Sequence, residues 1–300
     1  MDNKYFMMAA GSPMALGHIG TRARNNSEGA MIFVPLIRME DKNAALMEAL
    51  VGTRTKNPAI RWIERPGWLQ AINPAGKTVL QNTVLLSVFA PGETGAEIDA
   101  RIDSTIAEYR RLGLSFRWII GPWTRPADLG ERLLKKGFTL GRMSYGMACR
   151  TSDLSVAGGD PGIAIERASE KNIDAWAETY CRAWDIPAAG KDSIHASAKS
   201  ALADPGRADY LAYFDGAPAA IACAVFLERS VYLHSTAVLP DFRRKGMFRS
   251  LIRERALEGR RRGRELVTIY AFQDTSFPLL QKMGFETVCE CPQYFYYPAK

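Results

Sequence analysis

The chain has 300 residues, of which 47% are hydrophobic and 24% charged, and its formal net charge is +7. This composition is typical of globular domains and excludes a mostly disordered chain, and the length is enough for two domains with separate cores. Its apolar runs are shorter than the roughly 18 to 20 residues of a membrane helix, so we expect no membrane partner.

Residues 1–27 predict a lead-in segment rather than a signal peptide, because glycine and proline interrupt the apolar stretches. The five cysteines and three histidines are scattered and lack the spacing of a metal site, so we expect no metal. An odd number of unpatterned cysteines favours the reducing cytoplasm as the location of the protein.

The two halves of the chain show strand and helix patterns in the same order. Alternating or continuous apolar runs predict strands, and apolar residues three and four positions apart predict helices. The elements predicted in the first half are strands at 68–73 and 83–90, a helix at 96–112, a strand at 115–120, a helix at 126–136 and a strand at 139–149.

A stretch of small polar, glycine and proline residues at 151–161 predicts a linker between domains at 28–150 and 162–300. The second half repeats the succession of the first after two additional helices. Its predicted elements are helices at 170–184 and 191–203, strands at 209–214, 219–227 and 231–239, a helix at 247–262, a strand at 266–270, a helix at 275–283 and strand patterning to 297.

Both halves close a helix with the same pattern, Leu-x-x-x-Gly-Phe, at 133–138 and 280–285. Glycine readily adopts the left-handed conformation that ends a helix, and phenylalanine suits the start of a buried strand. The pattern alone is weak evidence. Because it recurs at the same place in the same order of elements, it predicts a duplicated α/β unit.

Residues 236–248, Thr-Ala-Val-Leu-Pro-Asp-Phe-Arg-Arg-Lys-Gly-Met-Phe, have the layout of an anion site. An apolar strand leads into a basic turn, and a helix is predicted to begin after Gly246. The first N–H groups of a helix lack partners and carry partial positive charge, to which Arg243, Arg244 and Lys245 add full charges. A basic turn by itself is more commonly a solvated loop, so this assignment depends on the rest of the chain.

The positive charge is concentrated beside this turn. Residues 241–264 hold ten basic and three acidic side chains, and their net charge of +7 equals that of the whole chain. Such a field favours a polyanionic ligand. The alternative is a solvated helix surface with pairs such as Arg255 with Glu258 and Glu258 with Arg262.

The turn Arg-Arg-Lys-Gly-Met-Phe at 243–248, the preceding Ala-Val-Leu-Pro and the later Leu-x-x-x-Gly-Phe together resemble the GNAT superfamily of N-acetyltransferases. The turn is similar to the acyl-CoA loop of that family, R/Q-x-x-G-x-G/A. The resemblance covers 162–298, and the first half resembles a degenerate copy. It implies an α/β fold of two tandem GNAT-like domains, each a mostly antiparallel twisted sheet flanked by helices.

The resemblance also implies acetyl-CoA as co-substrate. The strand that ends near Val238 would splay from its neighbour and pair with the pantetheine arm, and the turn would wrap the pyrophosphate with backbone N–H groups. The cofactor-binding residues that it implies are Ala237, Val238, Arg243, Arg244, Lys245, Gly246, Met247 and Phe248. Phe248 departs from the glycine or alanine of the family, and we expect its side chain to point back into the core.

The first half offers no such loop. Its corresponding stretch, 90–95, reads Ala-Pro-Gly-Glu-Thr-Gly and places an acidic residue where basic groups would be needed. We therefore expect a turn there rather than a phosphate site. A structural or substrate-side role follows for the first domain.

Acyl transfer to an amine needs a base, donors for the developing oxyanion and a proton for the leaving thiolate. His234 is the candidate base, because some members of the superfamily place a histidine at this position and the ordinary histidine pKa of about 6.5 suits a proton acceptor. A histidine that merely packs in the strand is an equal alternative, and Glu228 is a weaker candidate. The oxyanion donor would be a backbone N–H near Val238.

The proton for the thiolate has no obvious source. The family uses a tyrosine four residues before the helix-closing glycine, and Leu280 stands at that position. Tyr270 and Ser276 are the candidate substitutes. Aromatic residues that line an acceptor pocket or fill the core are Trp176, Tyr180, Trp184, Tyr294, Phe295, Tyr296 and Tyr297.

The sequence thus predicts an acyl-CoA-dependent N-acyltransferase that transfers acetyl to a primary amine of a small-molecule or amino-acid-like acceptor by direct attack. Leu280 and Phe248 leave an alternative, a non-catalytic coenzyme A-binding or regulatory module. A nucleic-acid partner is disfavoured, because no set of aromatic residues interleaves with the arginines at 260–264. We expect a cytoplasmic monomer or homodimer.

Overall fold

The computed structural model describes residues 21–25, 31–35, 37–52, 54, 59–76, 79–154 and 161–298. The lead-in predicted at 1–27 lies outside the described residues except for 21–25, and so does 155–160 of the predicted linker. Within the described ranges, strands and helices occur where both halves predict them, with ends that differ by a few residues.

The first half contains seven strands and three helices within the described ranges. They are β1 (Thr21–Asn25), β2 (Met31–Pro35), α1 (Met39–Gly52), β3 (Arg61–Arg65), β4 (Trp68–Ile72), β5 (Thr83–Ser87), α2 (Gly95–Arg111), β6 (Phe116–Ile119), α3 (Leu129–Lys135) and β7 (Thr139–Arg150). Of these, β1, β2, α1 and β3 had not been predicted.

The second half contains six strands and four helices within the described ranges. They are β8 (Ile163–Arg167), α4 (Ile173–Ala183), α5 (Ala188–Ala201), β9 (Arg207–Phe214), β10 (Ala217–Phe226), β11 (Ser230–Val238), α6 (Met247–Arg261), β12 (Leu266–Phe272), α7 (Phe277–Lys282) and β13 (Glu286–Tyr296). Only β8 had not been predicted.

The described strands form one sheet of 11 strands, in the order β3-β4-β5-β6-β13-β7-β12-β11-β10-β9-β8, and a separate hairpin of β1 and β2. The pairs β5–β6 and β11–β12 are parallel, and the other pairs are antiparallel. The predicted α/β class is confirmed, as a mixed, mostly antiparallel sheet flanked by helices.

The two halves exchange their last strands. β13 of the second half lies between β6 and β7, with Tyr294 opposite Trp118. β7 of the first half pairs with β12, with Cys149 opposite Val267. Each half therefore completes the sheet of the other, and the sheet runs without interruption through the centre of the molecule.

Both Leu-x-x-x-Gly-Phe patterns form the same helix stop. Gly137 and Gly284 have φ values of 87° and 89°, in the left-handed region that glycine adopts at little cost. In each case the phenylalanine N–H donates to the leucine carbonyl, from Phe138 to Leu133 and from Phe285 to Leu280, both at 3.1 Å. The duplication seen in the sequence is thus repeated in the hydrogen bonds.

Helices cover both faces of the sheet. On β10, Ala220 and Ala222 belong to the core shared with α6, whereas Ile221 belongs to a core shared with α4 and α5. Successive residues of a strand face opposite sides, so α6 and α4 lie on opposite faces. Helix α1 crosses the middle of the sheet and contacts β5, β7, β11, β12 and β13.

The Gly146→Ala variant should lower the free energy of unfolding by about 1–3 kcal/mol. Gly146 lies on the exchanged strand β7, and a Cβ there would be 2.6 Å from the Cys289 sulfur and 2.9 Å from a methyl carbon of Leu46. Urea unfolding followed by circular dichroism measures the change. Gly95→Ala is the control, because its Cβ would meet only the flexible end of Arg132, at 3.3 Å. Equal losses in the two variants would contradict the close packing at β7.

Candidate functional site

A cleft opens between the parallel strands β11 and β12. The two strands pair only at Ser230–Leu266, Val231–Val267 and Tyr232–Thr268. Beyond Tyr232 the strands no longer pair, in agreement with what the family resemblance implied for the strand that ends near Val238. The edge of β11 from His234 to Val238 therefore presents backbone groups that β12 does not use.

A β-bulge turns β11 away from β12. On β10, Ile221 pairs with Ala237 and Cys223 with His234, so two steps on β10 match three on β11. Ser235 takes up the extra residue with a φ of 48°, in the left-handed region. A bulge bends its strand and increases its twist, which accounts for the divergence.

A buried arginine on α6 stabilises the bulge through hydrogen bonds. The side chain of Arg255 on α6 is 0% exposed. Its guanidinium donates to the carbonyls of Leu251 and Cys223, both at 2.9 Å, to the carbonyl of His234 at 3.4 Å, and to Thr236 Oγ1 at 2.8 Å. Burial lowers the pKa of Arg255 to about 10, so the group stays cationic at neutral pH.

The basic turn has the geometry of an anion site at the start of α6. Gly246 is the N-cap residue, with a φ of 80° and no side chain that could cap the helix. Arg244 also lies in the left-handed region, with a φ of 65°. The first N–H groups of α6 are thereby left uncapped, beside the exposed side chains of Arg243, Arg244 and Lys245.

Phe248 and Lys245 are fixed by apolar neighbours. Phe248 is half-buried and packs against the core of the second half, next to the fully buried Met247, as we expected from the sequence. The ammonium of Lys245 lies 4.4 Å from the centre of the Phe214 ring. The bulky residue at 248 therefore leaves the uncapped end of the helix clear.

His234 lies at the bulge with its side chain partly accessible. Its Nδ1 is 2.8 Å from Ser235 Oγ, which leaves Nε2 for another partner. Burial, and then the charges of Arg207, Arg117 and Arg255, lower the pKa of His234 to about 4. The imidazole is consequently neutral at pH 7 and can accept a proton.

The candidate proton donors differ in whether their hydroxyl groups already have a hydrogen-bond partner. The Tyr270 hydroxyl donates to the carbonyl of Leu46 on α1 at 2.7 Å, and burial raises the pKa of Tyr270 well above its usual value. Ser276 is the N-cap residue of α7 and makes no capping hydrogen bond with its side chain. Leu280 is 0% exposed and belongs to the core.

In the first half, the helix end that corresponds to the anion site is already capped. Thr94 accepts from the N–H of Glu97 at 3.3 Å, and the Glu97 carboxylate accepts from the N–H of Thr94 at 2.7 Å. Glu93 Oε1 accepts from the N–H of Ala90 at 2.7 Å. Carboxylates of the chain itself thus occupy the place where an anionic ligand would bind. This agrees with the expectation from Glu93 that the first half has no phosphate site.

The strand edge of the first half is closed as well. β5 and β6 pair only at Thr83–Arg117 and Val84–Trp118 and then diverge, like β11 and β12. The backbone of Arg125 enters the gap, donating its N–H to Ser87 and accepting from the N–H of Phe89, both at 3.3 Å. The chain itself therefore fills the edge that remains open in the second half.

The described residues contain neither a cluster of metal-ligating side chains nor a helix that could span a membrane. No group of three or more His, Cys, Asp and Glu side chains among them could hold a metal ion. No helix within the described ranges is long and apolar enough to cross a membrane.

The model of the Acetyltransferase (GNAT) family matches residues 171–285. This range includes the open edge of β11, the basic turn and α6. Among curated proteins, none matches the chain significantly.

Solved structures resemble the chain over both halves. A tandem GNAT protein from the clavulanic acid biosynthesis pathway has a TM-score of 0.62 and 14% identity, covering 87% of this chain and 94% of its own. A GCN5-related N-acetyltransferase from Kribbella flavida has a TM-score of 0.61 and 14% identity, covering 88% and 96%. A functionally unknown conserved protein from Staphylococcus epidermidis has a TM-score of 0.60 and 14% identity, covering 83% and 100%. At this identity the likeness shows the fold.

The role of Arg255 was not predicted from the sequence. The predicted pair of Arg255 with Glu258 does not form, whereas Glu258 accepts from Arg262 at 2.8 Å, as predicted, and from Arg261 at 3.2 Å. The signal was present, because Arg255 falls on the stripe of α6 whose other buried members are apolar or small. These are Met247, Leu251, Ile252, Ala256 and Gly259.

The Arg255→Ala variant should lose about 3 kcal/mol of unfolding free energy, because it leaves a cavity and removes a donor from three carbonyls and a hydroxyl. Guanidinium chloride unfolding measures the loss. Arg249→Ala, an exposed position on the same helix, should change stability by less than about 0.5 kcal/mol. If Arg255→Ala were as stable as Arg249→Ala, the bulge would not depend on the buried guanidinium.

Proposed function

We propose that this chain, in which residues 171–285 form a GNAT domain, is an acyl-CoA-dependent N-acetyltransferase that acts on the primary amine of a small-molecule or amino-acid-like acceptor. The observation that carries the proposal is the open edge of β11, which leads from His234 to the uncapped N-terminus of α6. One path thus offers backbone groups to an extended ligand and N–H groups to an anion.

Acetyl-CoA fits the two ends of this path. The pantetheine arm would pair with β11 at Ala237 and Val238, because amide groups complete an open strand edge. The pyrophosphate would lie over the N–H groups at the start of α6, including those of Met247 and Phe248. Arg243, Arg244 and Lys245 would add charge around it. These cofactor roles are supported by the geometry of the turn.

The acceptor nitrogen would attack the thioester carbonyl carbon, so that the N–C bond forms and the C–S bond breaks with the thiolate as leaving group. His234 would take the proton that the amine loses, directly or through a water molecule. Its imidazole is neutral at pH 7 and so has a free lone pair for this proton, but the pKa lowered to about 4 makes it a weaker base than an ordinary histidine. A backbone N–H near Val238 would stabilise the oxyanion, with the cationic Arg255 beneath it.

The thiolate needs a proton, and the two candidates differ in what they must give up. Tyr270 would have to break its bond to Leu46, and its raised pKa holds the proton more tightly. Ser276 makes no capping bond with its hydroxyl. We therefore favour Ser276 as a proton relay and assign Tyr270 to fixing α1 over the cleft.

A non-catalytic coenzyme A-binding module is the second candidate. It is favoured by Leu280, which is fully buried at the position of the family's acid. Release of free thiol from acetyl-CoA in the presence of an amine panel separates the two, since a binding module releases none. The domain boundaries at 150 and 162, the cytoplasmic location and a monomeric or homodimeric state also stay proposals.

The Gly246→Ala variant should weaken acetyl-CoA binding by about tenfold, measured by isothermal titration, because a Cβ strains the left-handed residue at the anion site. Gly263→Ala is the matched control at the other end of α6. The φ values of the two glycines are 80° and 74°, and neither Cβ would meet an atom closer than 3.6 Å. Both variants should therefore lose similar stability. Equal affinities for acetyl-CoA would contradict the site, and absence of binding by the unmodified protein would overturn the proposal.

The His234→Gln variant should lower kcat/KM by about 100-fold while the Kd for acetyl-CoA stays unchanged, because only proton transfer is lost. Thiol release and isothermal titration give the two quantities. Unchanged turnover would remove His234 from the chemistry.

Nuclear magnetic resonance of labelled histidine tests the protonation state independently. The chain has three histidines, so the His234 signal is the one that His234→Gln removes. We expect it to titrate near pH 4, from a pKa lowered by burial and neighbouring arginines. A midpoint near 6.5 would show that the imidazole is not enclosed as described.

A further inference from the structure

Two cysteine side chains lie in contact on β13. Cys289 and Cys291 are two residues apart in the strand, so both side chains point to the same face of the sheet. Their sulfur atoms are 3.8 Å apart, and both residues are free thiols. Neither acyl transfer nor coenzyme A binding, as derived above, uses this pair.

The two thiols differ in exposure. Cys291 is 0% exposed and belongs to a core that includes Leu50 and Ile119. Cys289 packs against that core and remains partly accessible. An oxidant in solution can therefore reach the sulfur of Cys289 but not that of Cys291. A reaction at Cys289 then has a second thiol directly behind it.

Hydrogen bonding favours the thiolate of Cys289. The hydrogen bond from Cys291 lowers the pKa of the Cys289 thiol against the opposing effect of burial, and a backbone hydrogen bond at Gly146 lowers it further. The same contact and burial raise the pKa of Cys291, which therefore keeps its proton. Since the thiolate is the nucleophilic form of cysteine, the accessible member of the pair is also the reactive one.

The three other cysteines lie in less reactive surroundings. Cys149, Cys181 and Cys223 are buried. Burial raises the pKa of the Cys181 and Cys223 thiols, so both stay protonated at neutral pH. These three side chains provide internal references for the reactivity of Cys289.

The strand is irregular on both sides of the pair. The pairing of β13 with β7 shifts register between Thr287 and Cys289 and again between Pro292 and Tyr294. Such irregularities bend a strand. The residue opposite Cys289 is Gly146, and a Cβ there would be 2.6 Å from the Cys289 sulfur. The bends and the absent side chain give the two sulfur atoms room to approach each other.

The spacing of the pair suits a disulfide. Residues two apart in a regular strand have Cα atoms about 6.6 Å apart, and disulfides join Cα atoms up to about 6.8 Å apart. Closure has to bring the sulfur atoms from 3.8 Å to about 2.05 Å. A disulfide formed near the upper limit of the Cα separation is readily reduced again, so the oxidation is reversible.

We propose that Cys289 and Cys291 form a site of reversible oxidation, at which hydrogen peroxide converts the two thiols into an intramolecular disulfide. The Cys289 thiolate attacks one peroxide oxygen, so that an S–O bond forms, the O–O bond breaks and hydroxide leaves. The sulfur is oxidised to a sulfenic acid, and the hydroxide takes up the proton that the thiol had released.

The second step closes the disulfide. The Cys291 sulfur attacks the Cys289 sulfur, so that the S–S bond forms and the S–O bond breaks. The leaving hydroxide takes the proton of the Cys291 thiol. Two thiols and one hydrogen peroxide thus give one disulfide and two water molecules, and an excess of a small thiol reverses the reaction by exchange.

The first test uses the unmodified protein. A brief exposure to iodoacetamide should alkylate Cys289 about tenfold faster than Cys149, Cys181 or Cys223. Equimolar hydrogen peroxide should lower the number of free thiols by two. The tryptic peptide 283–300 contains both members of the pair and no other cysteine, so its mass should fall by two hydrogen atoms. Dithiothreitol should restore the original mass.

Variants separate the two steps. Cys289→Ser should keep all its remaining thiols after the same treatment. Cys291→Ala should stop at the sulfenic acid of Cys289, which dimedone labels. Cys181→Ala, a control at a buried position on α4, should form the disulfide as the unmodified protein does.

Three results would overturn the inference. They are a peptide 283–300 that keeps both thiols or carries only oxygen adducts, a disulfide between two copies of the chain on a non-reducing gel, and equal alkylation of all the cysteines. If Cys291→Ala does not fold, the peptide mass from the unmodified protein still decides between the disulfide and a lone oxidised Cys289. Thiol counts and peptide masses need no substrate, so their outcome is independent of the proposed function.

Discussion

The site of the second half depends on one buried cation. Arg255 reaches from α6 to the carbonyls of Cys223 and His234 and to the hydroxyl of Thr236, so it joins the helix, β10 and both sides of the bulge. Hydrogen bonds to a charged group contribute about 1.5 to 3 kcal/mol each, which offsets the cost of removing the guanidinium from water. The bulge bends β11 away from β12, and the cleft follows from that bend. Burial in the sheet keeps His234 neutral, and the charges of Arg207, Arg117 and Arg255 add to that effect.

The two halves share one arrangement of strands and helix, which leaves a binding edge open in the second half and closed in the first. Both have a parallel strand pair that diverges after two or three residues and a helix that begins where the first strand ends. In the second half a left-handed glycine leaves the helix end uncapped. In the first half Thr94 and Glu97 cap it, and Arg125 bonds to the free strand edge. Local contacts decide whether the strand edge and the helix end stay open. The groups that close them in the first half come from neighbouring loops and turns, and the sheet itself is not changed.

The sequence was most informative where structure is local. The stops at Gly137 and Gly284 and the capless turn at Gly246 follow from backbone preferences of single residues, and the helix and strand order follows from periodicity. Strand partners are not local. Nothing in the pattern of β13 tells whether it pairs with its own half or the other, so the exchange was not foreseen. Arg255 was missed for a related reason, since burial of an arginine depends on acceptors that come from distant strands.

The exchange of strands explains why the first half persists beside a site that it does not duplicate. Without β7, the edge of β12 would be bare, and without β6 and β7, β13 would have no neighbours in the sheet. The second half therefore needs the first to complete the sheet that carries His234 and Tyr270. Loss of the first cofactor edge then carries no structural penalty, because the exchanged strands keep the sheet continuous.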